Sequence, residues 1–433
     1  MTPSLDRLAA EGVRCTQAVS QYPVCMPFRA ALMTGQPANL NGVERHGDFL
    51  DPSARTVAHA FGDAGYRTSY VGKWHLAPES GAAMVSPEGW AGQDFWVHPR
   101  LRGGFHDWFG FNISNNYYET YICSGEKVEP VRLPGYQTDA LTDISIDYLS
   151  RVAAGDVRTP WFHVISYESP HPGAGGPGGS AGYPVPDGYR GLYDPTSLTL
   201  RPNVPPESAG RAREQLAGYY RLIANLDDNV GRLLAHLEAT GLGEDTLVVF
   251  LSDHGEMGGS HGLRNKQVPY EESLRVPLTF RHPGLPVGAE YRDPICGLDV
   301  APTCLGLCGL PGLDGVKGID HSGALRRSSA AAPGRPLRDA VLVQWNDTRY
   351  RFGDHPYRAL RSPRYTFVLG RDDAFCLLFD READPYELRN LYWDAAHPEL
   401  KARLSVELLA LLAEAGEEPP DYVVGRLRSQ GER

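Results

Sequence analysis

Three strand-like runs separated by helical patterns constrain the fold of this chain most. Residues 65–76 are rich in aromatic and β-branched side chains, and 161–167 and 246–251 are continuous apolar runs typical of buried parallel strands. Amphipathic helical patterns occupy 55–64 and 208–240. Because strands that alternate with helices build parallel sheets covered on both faces, the sequence predicts an α/β fold with a large, mostly parallel sheet sandwiched by helices.

The carboxyl-terminal quarter follows a different pattern. Short strand patterns separated by polar turns occupy 339–347, 357–371 and 375–380. An amphipathic helix is predicted at 397–415, and 324–338, rich in Ala, Ser, Arg and Pro, is typical of a surface linker. We therefore expect a main domain of residues 1–335 and a smaller subdomain, 336–433, made of an antiparallel sheet and a helix.

Charge and cysteine usage exclude several classes of partner. The net charge is −11, from 42 basic and 53 acidic residues, so the chain is a poor nucleic-acid binder and must attract an anionic substrate by local positive charge. No run approaches the roughly 18 apolar residues that cross a membrane. The seven cysteines are scattered, odd in number and without the Cys-x-x-Cys pairs of a zinc site, so a dense disulfide framework is not expected. The chain as written has no leader segment, which favours a cytoplasmic location unless such a leader precedes it.

The stretch from Pro23 to Gly35 places a thiol and a guanidinium four residues apart, on one face of a short helix. Pro27 suits the first turn and Gly35 the residue after the end, so the helix is predicted from about Pro27 to Thr34. Free backbone donors, the helix dipole and Arg29 would then converge near Cys25 and favour an anion. A buried cysteine beside a surface arginine would give the same pattern.

The core of this stretch, Cys25-x-Pro27-x-Arg29 followed by small and apolar residues and Thr-Gly, resembles the sulfatase signature. In that family the cysteine is converted after translation to formylglycine by a maturation enzyme, and the hydrated aldehyde is the nucleophile. Phe28 stands where Ser or Ala is usual in the family. The resemblance therefore implies that Cys25 is the precursor of the nucleophile.

A second phrase, Gly65-Tyr-Arg-Thr-Ser-Tyr-Val-Gly-Lys-Trp-His-Leu76, places Lys73 and His75 two residues apart. In an extended chain such residues project to the same face. The phrase resembles the second sulfatase signature almost without departure. By that resemblance Lys73 stabilises charge on the substrate's oxygens, and His75 accepts a proton when sulfate is released.

Polar residues follow the two apolar runs directly, where open α/β sheets bind ligands. His171 follows the first run in Ser-Pro-His-Pro, and Asp253 and His254 follow the second in Ser-Asp-His-Gly-Glu-Met. An adjacent carboxylate and imidazole suit a divalent cation. These phrases resemble family segments in which His171 contacts the substrate and protonates the leaving oxygen, Asp253 and His254 bind the metal, and Lys266 contacts anionic oxygens.

The first helical segment, with Thr2 as cap and Gly12 as terminator, resembles a family segment that follows a strand ending in two metal-binding aspartates. That strand is not in the sequence given. Either the start codon is placed too far downstream, or the chain is a variant without half of its metal site. We expect the first, because the later segments match.

The resemblance, which runs from Thr2 to about Leu391, implies a sulfuric ester hydrolase acting on a small-molecule or carbohydrate sulfate ester. Its cofactors would be formylglycine derived from Cys25 and a divalent metal, Ca²⁺ before Mn²⁺ or Mg²⁺. The implied catalytic residues are Cys25, Arg29, Lys73, His75, His171 and Lys266, and the implied metal ligands are Cys25, Asp253 and His254. Two alternatives stay open: a phosphodiesterase or phosphonate monoester hydrolase on the same fold, and a catalytically impaired relative.

Overall fold

The helices and strands are taken from a computed structural model that describes residues 1–79, 94–125, 129–157, 160–173, 182–328, 335–346 and 355–431. The helices are α1 (Pro3–Ala10), α2 (Cys25–Thr34), α3 (Ala38–Asn41), α4 (Val57–Asp63), α5 (Gln137–Ala153), α6 (Ala209–Ala239), α7 (Glu271–Leu274), α8 (Gly297–Leu307), α9 (Ser322–Arg326), α10 (Pro398–Glu414) and α11 (Asp421–Gly431). The strands are β1 (Val13–Cys15), β2 (Ala18–Val19), β3 (Arg67–Lys73), β4 (Asp107–Phe111), β5 (Tyr121–Ser124), β6 (Val131–Arg132), β7 (Trp161–Ser166), β8 (Val248–Leu251), β9 (Leu278–Arg281), β10 (Ala289–Tyr291), β11 (Ile295–Cys296), β12 (Val341–Trp345), β13 (Tyr357–Arg361), β14 (Tyr365–Gly370) and β15 (Leu377–Asp380).

The described strands of the main region form two mixed sheets and a short parallel pair. One sheet has the order β6-β5-β4-β3-β7, in which β3 runs parallel to both β4 and β7. The other has the order β10-β1-β9-β8, and β11 pairs with β2. The predicted α/β class is confirmed, although β5, β6 and β9 run antiparallel to their neighbours.

Strands β7 and β8 lie at the edges of their sheets, which explains why they are less buried than their apolar sequences predict. Of the strands that the structure describes, β7 hydrogen-bonds only with β3, and β8 only with β9. Five of the six side chains of β7 and all four of β8 are therefore half-buried, whereas the six residues of β3 after Arg67 are buried. The expectation of two fully buried strands was wrong for this reason.

Helix α2 begins at Cys25, two residues before the predicted start, and ends where Gly35 takes a left-handed conformation with φ 65°. Pro27 thus lies third in the helix. Its missing N–H costs nothing there, because the first turn has no internal acceptors for backbone donors. Cys25 consequently lies inside the first turn and is fixed by the helix backbone.

The carboxyl-terminal residues form the predicted antiparallel sheet, in the order β12-β13-β14-β15. One face packs Trp345 and Tyr357 against Tyr22 and Val24, just before α2, and the other face is covered by apolar side chains of α10. The helix α11 was not predicted. Residues 329–334 of the predicted linker lie outside the described residues, and a domain boundary at 335 stays a prediction.

None of the described helices is long and apolar enough to cross a membrane.

A pair of glycines tests how closely β3 and β7 pack. Gly72 and Gly65 both have positive φ, but a Cβ at Gly72 would lie 2.1 Å from the Ser166 carbonyl oxygen, whereas a Cβ at Gly65 meets nothing within 4 Å. We expect Gly65→Ala to lower the free energy of unfolding by about 1 kcal/mol and Gly72→Ala by about 3 kcal/mol or more. Urea unfolding measures both, and equal losses would contradict the described strand pairing.

Candidate active site

The ends of three strands and the start of one helix meet at a single point. Strands β3, β7 and β8 end at Lys73, Ser166 and Leu251, and α2 begins at Cys25. The residues at and after these ends supply most of the polar side chains that the sequence singled out. The structure thus brings together groups that are far apart in the chain.

Cys25 is the centre of this cluster and is buried, with 5% of its surface exposed. Its Sγ lies 3.3 Å from Nε2 of His254 and 3.8 Å from Nζ of Lys73. Burial would raise the pKa of the Cys25 thiol, but the positive charges of Lys73 and Lys266 outweigh it and lower that pKa to about 6. The position therefore favours a negatively charged group on residue 25.

Asp253 and His254 face the thiol from the loop after β8. His254 Nδ1 lies 2.8 Å from the Gly255 carbonyl oxygen, so its N–H donates there and Nε2 is directed towards Cys25. The backbone carbonyl of Asp253 accepts a hydrogen bond of 2.6 Å from the Ser20 hydroxyl. Burial would lower the pKa of His254, yet the Asp253 carboxylate raises it above its ordinary value.

Arg29 ties the three strand ends together from one turn along α2. Its Nη1 donates to the Lys73 carbonyl oxygen at 3.1 Å and to the Ser166 hydroxyl at 2.7 Å. Its Nε lies 3.6 Å from Oδ2 of Asp253. These contacts engage Arg29 with the protein, so it holds the site together as well as adding positive charge.

Glu168 is a buried member of the site that sequence reasoning missed. Its carboxylate lies 3.0 Å from Lys73 Nζ and 3.5 Å from Nδ1 of His171. Burial would lower the pKa of Lys73, but Cys25 and Glu168 raise it, so this lysine is charged. Its position in the sequence could have indicated it, because Glu168 lies in the loop after β7, three residues before the predicted His171.

His171 is held by its backbone and by one ring nitrogen. Its carbonyl oxygen accepts a hydrogen bond of 2.7 Å from the Tyr117 hydroxyl, and Nδ1 lies 2.8 Å from the Pro172 carbonyl oxygen. Burial, followed by the charges of Lys266 and Lys73, lowers the pKa of His171 well below its ordinary value. The ring is therefore neutral in the structure.

His75 lies near the cluster, but not by the geometry that the sequence suggested. The strand ends at Lys73, and His75 has a left-handed backbone with φ 57°, so the two residues do not share the face of an extended chain. Burial and the charges of Lys73 and Arg29 lower the pKa of His75 well below its ordinary value. Its ring Nε2 lies 2.8 Å from Oε1 of Glu79.

Lys266 completes the positive charge around residue 25. It is buried, between Asn265 and Gln267, which both have positive φ. Its charge lowers the pKa values of Cys25, Asp253 and His171. Such buried cations would bind and stabilise an oxyanion.

The predicted metal ligands lie together but do not form a calcium site by themselves. One atom each from Cys25, Asp253 and His254 lies within 4.8 Å of the others. Ca²⁺ takes six to eight oxygen ligands. This set offers one carboxylate, one imidazole and a thiol. The charges of Lys73 and Lys266 act on the same group of side chains. The described residues therefore supply only part of a divalent-metal site.

Known protein families and relatives match this chain over most of its length. A sequence model of the family described as Sulfatase matches residues 1–310, and one described as N-sulphoglucosamine sulphohydrolase, C-terminal, matches residues 259–414. The "Ulvan-active sulfatase" of Formosa agariphila is 35% identical over 421 residues, which cover 96% of this chain and 77% of that protein.

Solved structures extend the likeness to the fold. A Bacteroides thetaiotaomicron structure, described under the metabolism of multiple glycosaminoglycans, has a TM-score of 0.83 and 25% identity, and covers 99% of this chain and 92% of its own. The phosphonate monoester hydrolase of Agrobacterium radiobacter has a TM-score of 0.74 at 23% identity, covering 96% of this chain and 91% of its own. The second likeness shows the fold alone.

The thiol of Cys25 in the unconverted chain should ionise at lower pH than an ordinary thiol. Because its pKa is lowered to about 6, the thiolate persists down to that pH, and the rate of alkylation by iodoacetamide should level off above it. The half-buried Cys308, whose pKa is raised by burial, is the internal control, and its alkylation rate should still rise at alkaline pH. Mass spectrometry follows both sites. A shared midpoint near 8.5, the ordinary thiol value, would contradict the described cationic surroundings.

Proposed function

The chain belongs to the sulfatase family and is a sulfatase, and from this premise we propose that it hydrolyses a carbohydrate sulfate ester with a nucleophile formed at residue 25. The observation that carries the proposal is that the buried Sγ of Cys25 contacts Lys73 and His254, two side chains from separate segments of the chain. A sulfate ester resists attack because its oxygens are negatively charged, and this cluster supplies compensating charge.

The family's formylglycine, formed from the cysteine by a maturation enzyme, would supply a hydrated aldehyde as the nucleophile. Cys25 Sγ marks the place of its reacting oxygen. Lys73 and Lys266 would bind the sulfate oxygens and neutralise charge as it shifts towards the leaving group. Glu168 would hold the Lys73 ammonium in place, because it lies 3.0 Å away and is fully buried.

His171 is proposed as the acid that protonates the leaving oxygen. In the structure burial and the charges of Lys266 and Lys73 keep its ring neutral. A bound sulfate ester brings negative charge to the same place, offsets the two lysines and favours the protonated ring. His75 is proposed as the base that accepts a proton from the hydroxyl at residue 25 during the second half of the reaction.

Arg29 would keep the nucleophile, the lysine and the metal ligands in register, since it contacts the Lys73 carbonyl, Ser166 and Asp253. The family implies a divalent metal. We assign Asp253, His254 and side chain 25 as this chain's ligands to it, with Ca²⁺ the proposed ion. Further oxygen ligands are needed to complete its coordination.

Names of similar proteins support a carbohydrate substrate. One relative is named for activity on ulvan, and a similar solved structure is described under glycosaminoglycan metabolism. Both names refer to polysaccharides. The phosphonate monoester hydrolase likeness shows the fold alone, so phosphonate or phosphodiester hydrolysis is the contrasting outcome of the test.

Replacement of residue 25 tests the proposed nucleophile. The Cys25→Ala variant of the full chain, produced with a maturation enzyme, should lose sulfatase activity by about 10⁴-fold or more, because no nucleophile remains. Cys308→Ala, which alters a cysteine outside the site, is the matched control and should keep full activity. Initial rates on matched aryl sulfates, phosphodiesters and phosphonates measure the change and the preference.

Of these three kinds of substrate, the aryl sulfate should be hydrolysed fastest. Retained turnover in Cys25→Ala would remove residue 25 from the chemistry. Faster hydrolysis of the phosphodiester or the phosphonate would leave the nucleophile in place but assign the chain the alternative reaction.

A further inference from the structure

The backbone around His75 is held in an unusual conformation by one asparagine. His75 has φ 57°, and its N–H donates to the Asn112 carbonyl oxygen at 2.8 Å. The Asn112 side chain donates a hydrogen bond to the Ala77 carbonyl oxygen at 2.9 Å and accepts one from the Ala77 N–H at 3.2 Å. It also donates to the Pro78 carbonyl oxygen. A left-handed backbone is unfavourable for a residue other than glycine, so this conformation persists because the surroundings enforce it.

The enforced turn brings Glu79 back to the His75 ring. The His75 side chain is 3% exposed, and its Nε2 lies 2.8 Å from Oε1 of Glu79. The other ring nitrogen, Nδ1, is buried and has no hydrogen-bond partner among the residues that the structure describes. One nitrogen thus contacts a carboxylate, and the other has no hydrogen-bond partner among the described residues.

The surroundings of the His75 ring decide which of its two nitrogens carries the proton. Burial and the charges of Lys73, Arg29, His46 and Lys266 favour a neutral ring, which has a single N–H. An ionised carboxylate accepts hydrogen bonds and donates none. The proton therefore lies on Nε2, facing Glu79, and Nδ1 keeps an unshared electron pair.

We propose that Glu79 is a positioning residue, which fixes the Nε2–H tautomer of His75 and so makes Nδ1 the proton acceptor of the active site. The proposal rests on the proposed function, in which His75 acts as a base. In that step the O–H bond of the hydroxyl at residue 25 would break, its electron pair would stay on that oxygen, and Nδ1 would form a new N–H bond. The ring becomes a cation whose charge faces the Glu79 carboxylate.

His46 is the neighbour that competes for Glu79. Its Nε2 lies 3.6 Å from the same Oε1 atom, and its ring meets the His75 ring edge-on with centroids 5.8 Å apart. The shorter distance favours His75. His46 is therefore a matched control position: its replacement removes a neighbour of the carboxylate without removing the acceptor of the His75 proton.

The ring tautomer is measured directly by ¹⁵N nuclear magnetic resonance on the full chain with labelled histidine. In the wild type we expect a protonated Nε2 and an unprotonated Nδ1 for His75. Glu79→Leu removes the acceptor and should move the proton, wholly or in part, to Nδ1. Glu79→Gln keeps an acceptor oxygen and should keep the wild-type tautomer, as should His46→Gln.

Kinetics on the matured enzyme give the second readout. Glu79→Leu should lower kcat by about 10–100-fold with KM little changed, because substrate binding does not use this contact. Glu79→Gln should lose less, since it keeps the tautomer but not the charge that stabilises the protonated ring. His46→Gln should match the wild type in both constants.

A wild-type His75 that carries its proton on Nδ1, or a Glu79→Leu spectrum identical to that of the wild type, would overturn the proposal. So would an Nε2 signal that changes on addition of Zn²⁺, which would assign His46, His75 and Glu79 as a metal site. These spectra need no turnover. Failure of the proposed function, seen as full activity in Cys25→Ala, is therefore distinct from failure here.

Discussion

The guanidinium of Arg29, whose side chain is 14% exposed, makes the contacts on which the rest of the site depends. From the second turn of a helix it reaches the carbonyl at the end of β3, the hydroxyl at the end of β7 and the carboxylate after β8. A charge removed from water is tolerated only when polar partners surround it, and these partners come from three strands. The need of one charged side chain for these partners therefore links the helix that carries Cys25 to Lys73 and Asp253. It also explains why the arginine lies four residues after the cysteine, because that spacing places both on one face of the helix.

Around this anchor the site balances its charges with buried and half-buried groups. Lys73 is held between the Cys25 sulfur and the Glu168 carboxylate, and His254 is held between the sulfur and the Gly255 carbonyl. Electrostatic interactions are strong in such surroundings, since little water screens them. A negatively charged group at residue 25 is therefore stabilised before any substrate binds. The same buried cations that stabilise it would receive the oxygens of a sulfate ester.

Much of the fold and of the candidate site could be predicted from the sequence, because strands and their polar ends leave local patterns. The α/β class, the antiparallel carboxyl-terminal sheet and the grouping of Asp253 and His254 beside Cys25 follow from such patterns and from the family resemblance. Half-burial of β7 and β8 could not be predicted, because pairing partners are not local. The partners Glu168 and Glu79 were missed for a related reason: each lies in a loop whose path depends on contacts distant in sequence. The left-handed turn at His75 is such a path, enforced by Asn112.

The central claim is that Cys25 becomes the nucleophile of a sulfatase, and its most direct test is the mass of one peptide. Trypsin should release residues 15–29, which contain Cys25 and also Cys15, a buried thiol outside the site. Protein purified from the native host should give this peptide with one cysteine converted to formylglycine, and fragmentation should place the aldehyde at residue 25 with residue 15 unchanged. A peptide that carries two unmodified cysteines in enzyme that actively hydrolyses a sulfate ester would contradict the account.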